Sequence, residues 1–250
     1  MTDGQLRPRW SDGTQRGSRS ISGLETGVKS VVGINQRARS AEQKALRRQA
    51  VLEAAEAYFL EVGYEAFSMA QLAKKAGLVK GTLYLYFKTR EELFMTLYEQ
   101  SLNRWTQVFV RYLSEPMSSE AYARTLHNTA LADGAFVPLL IRLEHVIEHN
   151  VSIPRLVESK QLFLRQVEIV AQSTSVALQL TLEQAREVAK TMGVLLIGAT
   201  RADQGPSLAL EELPADVQDL IAGFSSEPFF VKNAVRIIEG IRAEAATLSE

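Results

Sequence analysis

The chain has 250 residues, of which 46% are hydrophobic and 23% charged, and its formal net charge at pH 7 is -1. This apolar content can bury a large core, which excludes a chain that is disordered throughout. Cysteine is absent, which excludes disulfides and thiolate catalysis, and the balanced charge excludes binding to nucleic acid through overall charge alone.

Residues 1–40 are rich in glycine, serine and arginine, with only scattered isoleucine, valine and leucine. Because such a stretch cannot build a packed unit, we predict a disordered leader. Its seven Lys and Arg residues outnumber its three acidic residues, so the leader could contact DNA phosphates. It could also be a passive tail, or follow from a translation start placed too far upstream, and the composition favours this second interpretation.

From residue 41 onward, helical periodicity dominates and no run of strict apolar alternation occurs, which predicts an all-α fold. The first helix of this part ends at Gly63, where a glycine can adopt the left-handed conformation that often follows a helix. Its apolar face carries five residues at helical spacing: Val51, Ala55, Tyr58, Phe59 and Val62.

The next segment has the pattern of a helix-turn-helix between Ser68 and Phe87. Ser68 can cap a short helix that runs to about Ala76, and a third short helix is predicted from Lys80 to Phe87. Two helices that meet at a steep angle need a small residue at their contact, a turn residue that tolerates positive φ, and an apolar anchor on the second helix. In that order, these are Ala73, Gly77 and Leu83.

This arrangement leaves the outer face of the third helix free. That face carries side chains able to donate hydrogen bonds to phosphates or base edges, namely Lys80, Thr82, Tyr84, Tyr86 and Lys88. The alternative is an ordinary helical hairpin with half-buried tyrosines and solvated lysines, and the nearly balanced charge between Ala41 and Tyr98 agrees with it. The combined spacing of the small, turn and anchor residues favours the DNA-reading interpretation.

Helical patterns continue beyond this motif. Thr89 is predicted to cap a fourth helix, with Glu91 and Glu92 in its first turn, where the helix dipole favours anions. Thr181 and Gln184 have the spacing of a capping box. Further helices are predicted over residues 119–132, 136–149, 154–180, 182–200 and 227–246, with a short turn of helix near 217–221.

The segment from about Arg48 to Leu97 resembles the DNA-binding domain of the tetracycline-repressor (TetR/AcrR) family of transcriptional regulators. The likeness lies in the Gly63-Tyr64 turn that ends the first helix and in the long run from Ala76 to Leu93. It covers about a fifth of the chain. The remainder resembles the family in being all-helical and of suitable length.

The resemblance implies roles for individual residues. Ser68 would bind a phosphate at the start of the second helix, Lys80 would make most of the base contacts in the major groove, and Lys88 and Arg90 would clamp the DNA backbone. The residues implied to contact DNA are Ser68, Ala70, Lys80, Gly81, Thr82, Tyr84, Leu85, Tyr86, Lys88 and Arg90.

The chain departs from the family pattern at several of these positions. Val79 stands where many relatives have a serine that caps the recognition helix, so one cap and one polar contact are missing. Leu85 is apolar at a position that is often polar or aromatic, so sequence readout is expected to differ. Arg90 replaces the more usual lysine and keeps the charge.

The resemblance also implies that residues 41–88 form the DNA-binding domain and that residues 89–250 bind a ligand and form a homodimer. Such a dimer places two recognition helices about 34 Å apart, one turn of DNA, on a palindromic operator. The implied dimer contacts are Met192, Leu195, Leu196, Phe230, Ala234, Ile237 and Ile241. The alternative is that these apolar stripes face the subunit's own core.

Members of the family usually hold a small-molecule effector among the helices that follow the DNA-binding domain, and its binding shifts the fourth helix. The candidate lining residues are Trp105, Phe109, His127, Arg142, His145, Phe163 and Gln166. Each aromatic residue could instead be ordinary core, and Arg142 could form an internal ion pair with Glu144.

We therefore predict a ligand-responsive repressor that binds DNA as a dimer. An activator or an effector-independent regulator would carry the same motifs, and a helical protein-interaction module is a further alternative. A small helical enzyme that uses His127, Glu144 and His145 for acid–base work is disfavoured, because no nucleophile stands at motif spacing from a base.

The remaining expectations concern location and cofactors. The chain has only three histidines, too few to favour a metal site, and we predict no cofactor. No apolar run approaches the roughly 18 residues that span a bilayer, and the N-terminus lacks the pattern of a secretion signal. We therefore expect a cytoplasmic protein without a membrane segment.

Overall fold

The computed structural model describes residues 22–143, 147–202, 213–223 and 225–247. Over these residues the regular secondary structure is helical, which confirms the all-α fold. The helices are α1 (Ser22–Val62), α2 (Met69–Lys75), α3 (Lys80–Leu83), α4 (Arg90–Tyr112), α5 (Ser119–Ala132), α6 (Phe136–Arg142), α7 (Ile153–Leu178), α8 (Leu182–Ala202), α9 (Ala215–Gly223) and α10 (Ser226–Thr247).

The chain divides into two units, residues 1–48 and residues 49–250. Residues 1–21 of the predicted leader lie outside the described residues, whereas the backbone of residues 22–40 belongs to α1. The composition of this stretch argues against a packed core. A helix satisfies its backbone hydrogen bonds internally, so residues 22–40 can be helical without such a core.

The second unit contains one continuous hydrophobic core that extends from Val51 on α1 to Ile241 on α10. The predicted boundary between residues 88 and 89 lies inside this unit and stays a prediction. α4 joins the short helices α2 and α3 to the longer helices that follow. Phe94 is buried in its first turns, and α4 also packs against α5, α6 and α7.

Around Phe94, the ends of α1 and α2 are packed by aromatic side chains. The rings of Phe59, Tyr64 and Phe67 lie 5.5, 4.7 and 4.8 Å from the Phe94 ring, centroid to centroid. The predicted apolar face of α1 is confirmed, because four of its five residues are buried and the fifth packs against the core. Gly63 ends the helix with φ of +74°, as the left-handed turn requires.

The larger helices pack against one another through α7 and α10. α7 packs against α4 and α8, and α10 packs against α5 and α8. The predicted capping box is confirmed at the start of α8, where the Thr181 N–H donates to Gln184 Oε1 at 3.0 Å and the Gln184 N–H donates to Thr181 Oγ1 at 3.3 Å. The short predicted helix near 217–221 is α9.

The helix predicted over residues 136–149 is shorter than expected. It ends as α6 at Arg142, and a 3-10 turn follows at Glu148–Asn150, with residues 144–146 outside the described residues. In that turn Glu148 forms an ion pair with Lys160 of α7, Oε1 to Nζ at 2.7 Å. This ion pair joins the turn to α7.

Candidate nucleic-acid interface and ligand cavity

The helix-turn-helix is formed as its small, turn and anchor residues predicted. Ala73 and Leu83 are buried where α2 meets α3, at 2% and 0% exposure. Gly77 has φ of +65° in the turn, and the Leu78 N–H donates to the Ala73 carbonyl at 2.8 Å. The apolar contact between the short helices therefore fixes the direction in which the remaining face of α3 points.

The third helix is shorter than predicted, since it ends at Leu83 rather than Phe87. The chain continues in tighter turns, with the N–H of Leu85 donating to the Thr82 carbonyl at 3.2 Å and that of Tyr86 to the Leu83 carbonyl at 3.0 Å. Phe87 is 1% exposed and its N–H donates to the Leu83 carbonyl at 3.2 Å, so it stays on the inward side beside Leu83, while the turn before it uses i to i+3 hydrogen bonds.

The predicted caps of the two short helices are not equally formed. Ser68 is the N-cap residue of α2, but its side chain makes no capping hydrogen bond. Val79 takes the same position on α3 and has no polar side chain to cap with. Thr89 is confirmed as the cap of α4, because its Oγ1 accepts from the Glu92 N–H at 3.0 Å.

The outward face of α3 and the following turn carries most of the residues implied to contact DNA. Leu85 is 76% and Val79 73% exposed, although both are apolar, and Tyr84 is 39% exposed. All ten members of the predicted set are fully or partly exposed: Ser68, Ala70, Lys80, Gly81, Thr82, Tyr84, Leu85, Tyr86, Lys88 and Arg90. Gly81 has open space around it, so another molecule could approach its backbone closely.

The cations near this face differ in what they contact. Lys80 Nζ lies 6.0 Å from the centroid of the Tyr84 ring, on the same exposed surface. Lys75, at the end of α2, instead forms an ion pair with Glu61 at 2.6 Å and lies 5.0 Å above the Tyr58 ring. Lys80 and Lys88 therefore remain directed to the outside, whereas Lys75 serves the contact between α1 and α2.

Arg90 is directed inward. Its guanidinium lies 4.2 Å from the Tyr64 ring centroid and 5.5 Å from that of Phe94, and its Nη1 donates to the Phe67 carbonyl at 3.3 Å. Its side chain is nevertheless 28% exposed, so Arg90 contributes to the packing between α4 and the end of α1, and its contact with DNA stays a prediction.

A cavity of about 170 Å³ lies among α4, α6, α7 and α8. Of the seven predicted lining residues, Trp105, Phe163 and Gln166 line it. Phe109 does not, because it is fully buried behind Trp105, with ring centroids 5.2 Å apart. His145 and Glu144 lie outside the described residues.

Two other predicted lining residues lie elsewhere. His127 is buried on α5, with Nε2 3.3 Å from Ser226 Oγ and its ring 5.6 Å from that of Phe230. Arg142 points to the surface, where it pairs with Glu65 at 3.2 Å. Neither side chain is among those that surround the cavity.

Sequence reasoning missed several residues of the cavity wall. Tyr98 and Leu102 precede Trp105 by seven and three positions and share its face of α4, so helical spacing from Trp105 would have found them. Phe136, Lys160 and Lys190 come from other helices, and only the packing of those helices brings them to the cavity.

The polar groups of the cavity wall are partly used within the chain. Gln166 Nε2 donates to Asn103 Oδ1 of α4 at 2.7 Å. Glu148, with its side chain 14% exposed, pairs with Lys160. Next to the cavity, Arg155 of α7 forms a two-point ion pair with Glu99 of α4, at 2.7 and 2.6 Å.

A set of charged contacts, called the bridge below, joins the cavity wall to α1. Arg104 of α4 contacts Glu56 of α1, with Nη2 to Oε1 at 2.5 Å, and also Asp133, with Nε to Oδ2 at 3.1 Å. Asp133 Oδ1 accepts from the backbone N–H of Phe136 at 3.1 Å. Phe136 lines the cavity and stacks on Trp105, the neighbour of Arg104.

The residues predicted to form a dimer interface divide into two groups. Leu195 and Ile237 are partly exposed. The others are buried within the chain's own core, which leaves their side chains no surface for a partner: Met192, Leu196, Phe230, Ala234 and Ile241. On α8, Val194 is 72% exposed although it is apolar.

The described residues also bear on membrane insertion and on metal binding. Among the described residues, no helix has the length and apolar character needed to cross a bilayer. In the same part of the chain, no group of three or more His, Asp or Glu side chains is placed to hold a metal ion.

Comparison with known proteins identifies curated relatives over part of the chain. It is 29% identical over 127 residues to a fatty acid metabolism regulator protein of Bacillus subtilis (strain 168), covering 50% of this chain and 60% of that protein. It is 33% identical over 64 residues to the HTH-type transcriptional repressor AcnR of Corynebacterium diphtheriae, covering 26% of this chain and 34% of that protein. The chain thus spans less than two thirds of these relatives.

The fold is shared with solved structures. A possible TetR family transcriptional regulator from Streptomyces coelicolor A3(2) superposes with a TM-score of 0.55 at 16% identity, over 78% of this chain and 98% of that chain. Two family profiles also match, one described as bacterial regulatory proteins of the tetR family at residues 51–97, the other as a tetracyclin repressor-like C-terminal domain at residues 96–243. Because the second profile alone covers more than half of this chain, the chain belongs to the tetracycline-repressor (TetR) family of bacterial regulatory proteins.

Proposed function

We propose that this TetR-type regulator is a ligand-responsive repressor that binds a palindromic operator in cytoplasmic DNA as a homodimer. In this proposal residues 41–88 read DNA, and residues 89–250 form the dimer and bind the effector. The name of the repressor from Corynebacterium diphtheriae supports the sign of regulation.

The observation that carries the proposal is the exposed surface of α3. Leu85 and Val79 are apolar and yet more than 70% exposed, and they flank Lys80 and Tyr84 on one short segment. Such a surface has a hydrogen-bonding and cationic centre for phosphates and base edges, with apolar groups that can contact thymine methyls. The buried contact of Ala73 with Leu83 directs these side chains outward together.

A dimer supplies the affinity that one short helix lacks. Two copies related by a two-fold axis would place their α3 segments in successive major grooves on one side of the DNA. Partly exposed apolar residues on the last long helices, Val194 and Leu195 of α8 and Ile237 of α10, support an interface between copies there. Such a two-fold interface uses the same surface patch of both copies.

The cavity supplies a site from which DNA binding could be regulated. Trp105 and Phe136 line it. Arg104, the neighbour of Trp105, contacts both Glu56 of α1 and Asp133, and Asp133 accepts from the Phe136 N–H. A ligand that shifts these rings would alter the bridge, and α4 would then move the DNA-binding part. Release of DNA requires only that the ligand binds the non-DNA-binding state more tightly.

The proposal is tested by fluorescence anisotropy with the promoter DNA upstream of the chain's own gene, at several salt concentrations. We expect saturable binding whose affinity falls steeply with salt, because lysines displace condensed counterions from DNA. A mutated palindrome of equal length and composition is the matched control. Equal affinity for both DNAs would contradict operator recognition, and a monomer bound to one half-site would contradict the dimer.

The sign of regulation needs a separate measurement. A reporter gene behind the same promoter should be more active when the regulator is deleted. Lower activity on deletion would indicate an activator, which would overturn the repressor part of the proposal and leave DNA binding intact.

A further inference from the structure

Four aromatic rings near the cavity form a stacked column. Phe109 and Trp105 are 5.2 Å apart with an angle of 11° between their planes, Trp105 and Phe136 are 4.9 Å apart at 13°, and Phe136 and Tyr98 are 6.3 Å apart at 15°. Trp105, Phe136 and Tyr98 line the cavity. The column therefore forms one wall of it.

Within this column, Trp105 and Phe136 each have two near-parallel ring neighbours. Since the centroids of these near-parallel rings lie 4.9 to 6.3 Å apart, the rings are offset and part of each ring stays available to the cavity. Aromatic pairs prefer offset-stacked or edge-to-face arrangements. The wall is thus suited to an aromatic ligand that packs against these rings.

The volume limits the size of such a ligand. The cavity measures about 170 Å³, close to an engineered apolar cavity of about 150 Å³ that binds benzene. A single six-membered ring with a short chain fits a space of this size, and the chain can extend to the exposed side, where Phe163 is 37% exposed.

The charges of the cavity wall favour an anion. Its ionisable residues are Glu148, Lys160 and Lys190. Glu148 and Lys160 neutralise each other across 2.7 Å. Lys190 is exposed and has no carboxylate partner among the described residues, so the wall carries one uncompensated positive charge.

We infer that the cavity binds a small aromatic carboxylate, with its ring against those of Trp105 and Phe136 and its carboxylate near Lys190. The inference rests on the proposed function, in which this cavity is the effector site. It adds the chemical class of the effector: one ring, a short linker and one negative charge.

The test uses four probes of matched shape, namely 3-phenylpropanoate, 3-phenylpropan-1-ol, 3-phenylpropylamine and 3-cyclohexylpropanoate. The chain has two tryptophans, so the full-length Trp10→Phe variant reports Trp105 fluorescence alone, with isothermal titration as a second measurement. We expect the carboxylate to bind up to about fivefold more tightly than the alcohol, because its ion pair is exposed. The amine should bind more weakly than both, and loss of the aromatic ring should weaken binding about two- to tenfold.

Variants at Lys190 connect the preference to this residue. Lys190→Gln should remove the preference for the carboxylate over the alcohol while the affinity for the alcohol stays unchanged, and Lys190→Arg should keep the preference. Lys232→Gln, which removes an exposed lysine of α10 away from the cavity, is the matched control and should behave as the parent.

Several results would overturn the inference. These are absence of binding by all four probes at millimolar concentration, an amine that binds as tightly as the carboxylate, a cyclohexyl probe that equals the phenyl one, or a carboxylate preference that survives Lys190→Gln. DNA binding is measured on the same protein without probes. A chain that binds its operator and none of the probes retains the proposed function, whereas one that binds probes and no operator loses it.

Discussion

The surface of α3 and the cavity use their side chains in different ways. Around α3, a small buried contact of Ala73 and Leu83 leaves apolar and cationic groups exposed. Around the cavity, aromatic side chains are stacked on one another, and Glu148 is paired with Lys160. Phe94 belongs to the first region and Tyr98 to the second, one turn further along α4.

This difference suggests how a regulator can separate recognition from sensing. In the proposed function the surface of α3 meets DNA, and the buried contact of Ala73 with Leu83 supports it from within. The cavity is held by ion pairs and stacked rings that a ligand can displace. The changes below would sharpen or break this comparison, and they are ordered from the largest expected effect to the smallest.

The support of α3 should be the most sensitive part. Phe94→Ala removes a ring that three other rings contact, and creating such a cavity costs about 3–5 kcal/mol of unfolding free energy. Urea denaturation measures it. Phe163→Ala, at a ring 37% exposed, is the comparison and should cost far less, so equal losses would contradict the contrast between the regions.

The exposed surface should be sensitive in binding and not in stability. Lys80→Ala should weaken operator binding by about 5- to 150-fold, which corresponds to one good base contact, and should leave the unfolding free energy nearly unchanged. Anisotropy titration measures the first and urea denaturation the second. Lys75→Ala, at the lysine that pairs with Glu61, is the matched control, and an equal loss of affinity there would show that the face is assigned wrongly.

The bridge between the regions should affect regulation alone. Arg104→Gln removes the contacts to Glu56 and Asp133, and since the arginine side chain is 44% exposed, the loss of stability should be at most about 1 kcal/mol. Operator affinity without ligand should change little, whereas the loss of affinity caused by a bound cavity probe should decrease. Undiminished release by the same probe would exclude the bridge as the connection.

A contact remote from both regions should change neither activity. Ser119 and Arg242 donate hydrogen bonds to Glu239, and these lower the pKa of Glu239 below its usual value. A lowered folded-state pKa contributes stability at neutral pH that is lost as the pH falls through that pKa. Glu239→Gln should therefore cost at most about 1 kcal/mol at pH 7, with a smaller difference in acid, while DNA and probe binding stay as in the parent.

The sequence alone predicted the helix-turn-helix well because its signals are local. Gly77, Ala73 and Leu83 each act on a neighbour within a few residues, and positive φ or a small contact residue can be recognised from one position. The caps at Thr89 and Thr181 belong to the same class. The length of α3 was overestimated, since Leu83 and Phe87 share the inward side whether the turns between them are α-helical or tighter, and the apolar spacing is the same.

The cavity was predicted only in part, because its wall is assembled from helices far apart in the chain. Periodicity identifies which face of α4 is apolar, yet it does not tell whether Phe109 or Trp105 meets open space. His127 and Arg142 illustrate the same limit, since one is buried against α10 and the other pairs with Glu65 on the surface. Of the residues of α8 and α10 predicted for a dimer, five are buried in the chain's own core, whereas Leu195 and Ile237 are partly exposed.

The amino-acid sequence thus determined the helical class, the helix-turn-helix and the caps at Thr89 and Thr181, since each follows from interactions within one or two turns of backbone. Tertiary structure alone decided the direction of Arg90, the pairing of Lys160 with Glu148, and the ring column beside Trp105. A side chain on a helix has several neighbours it could meet, and which one it meets depends on how distant helices pack.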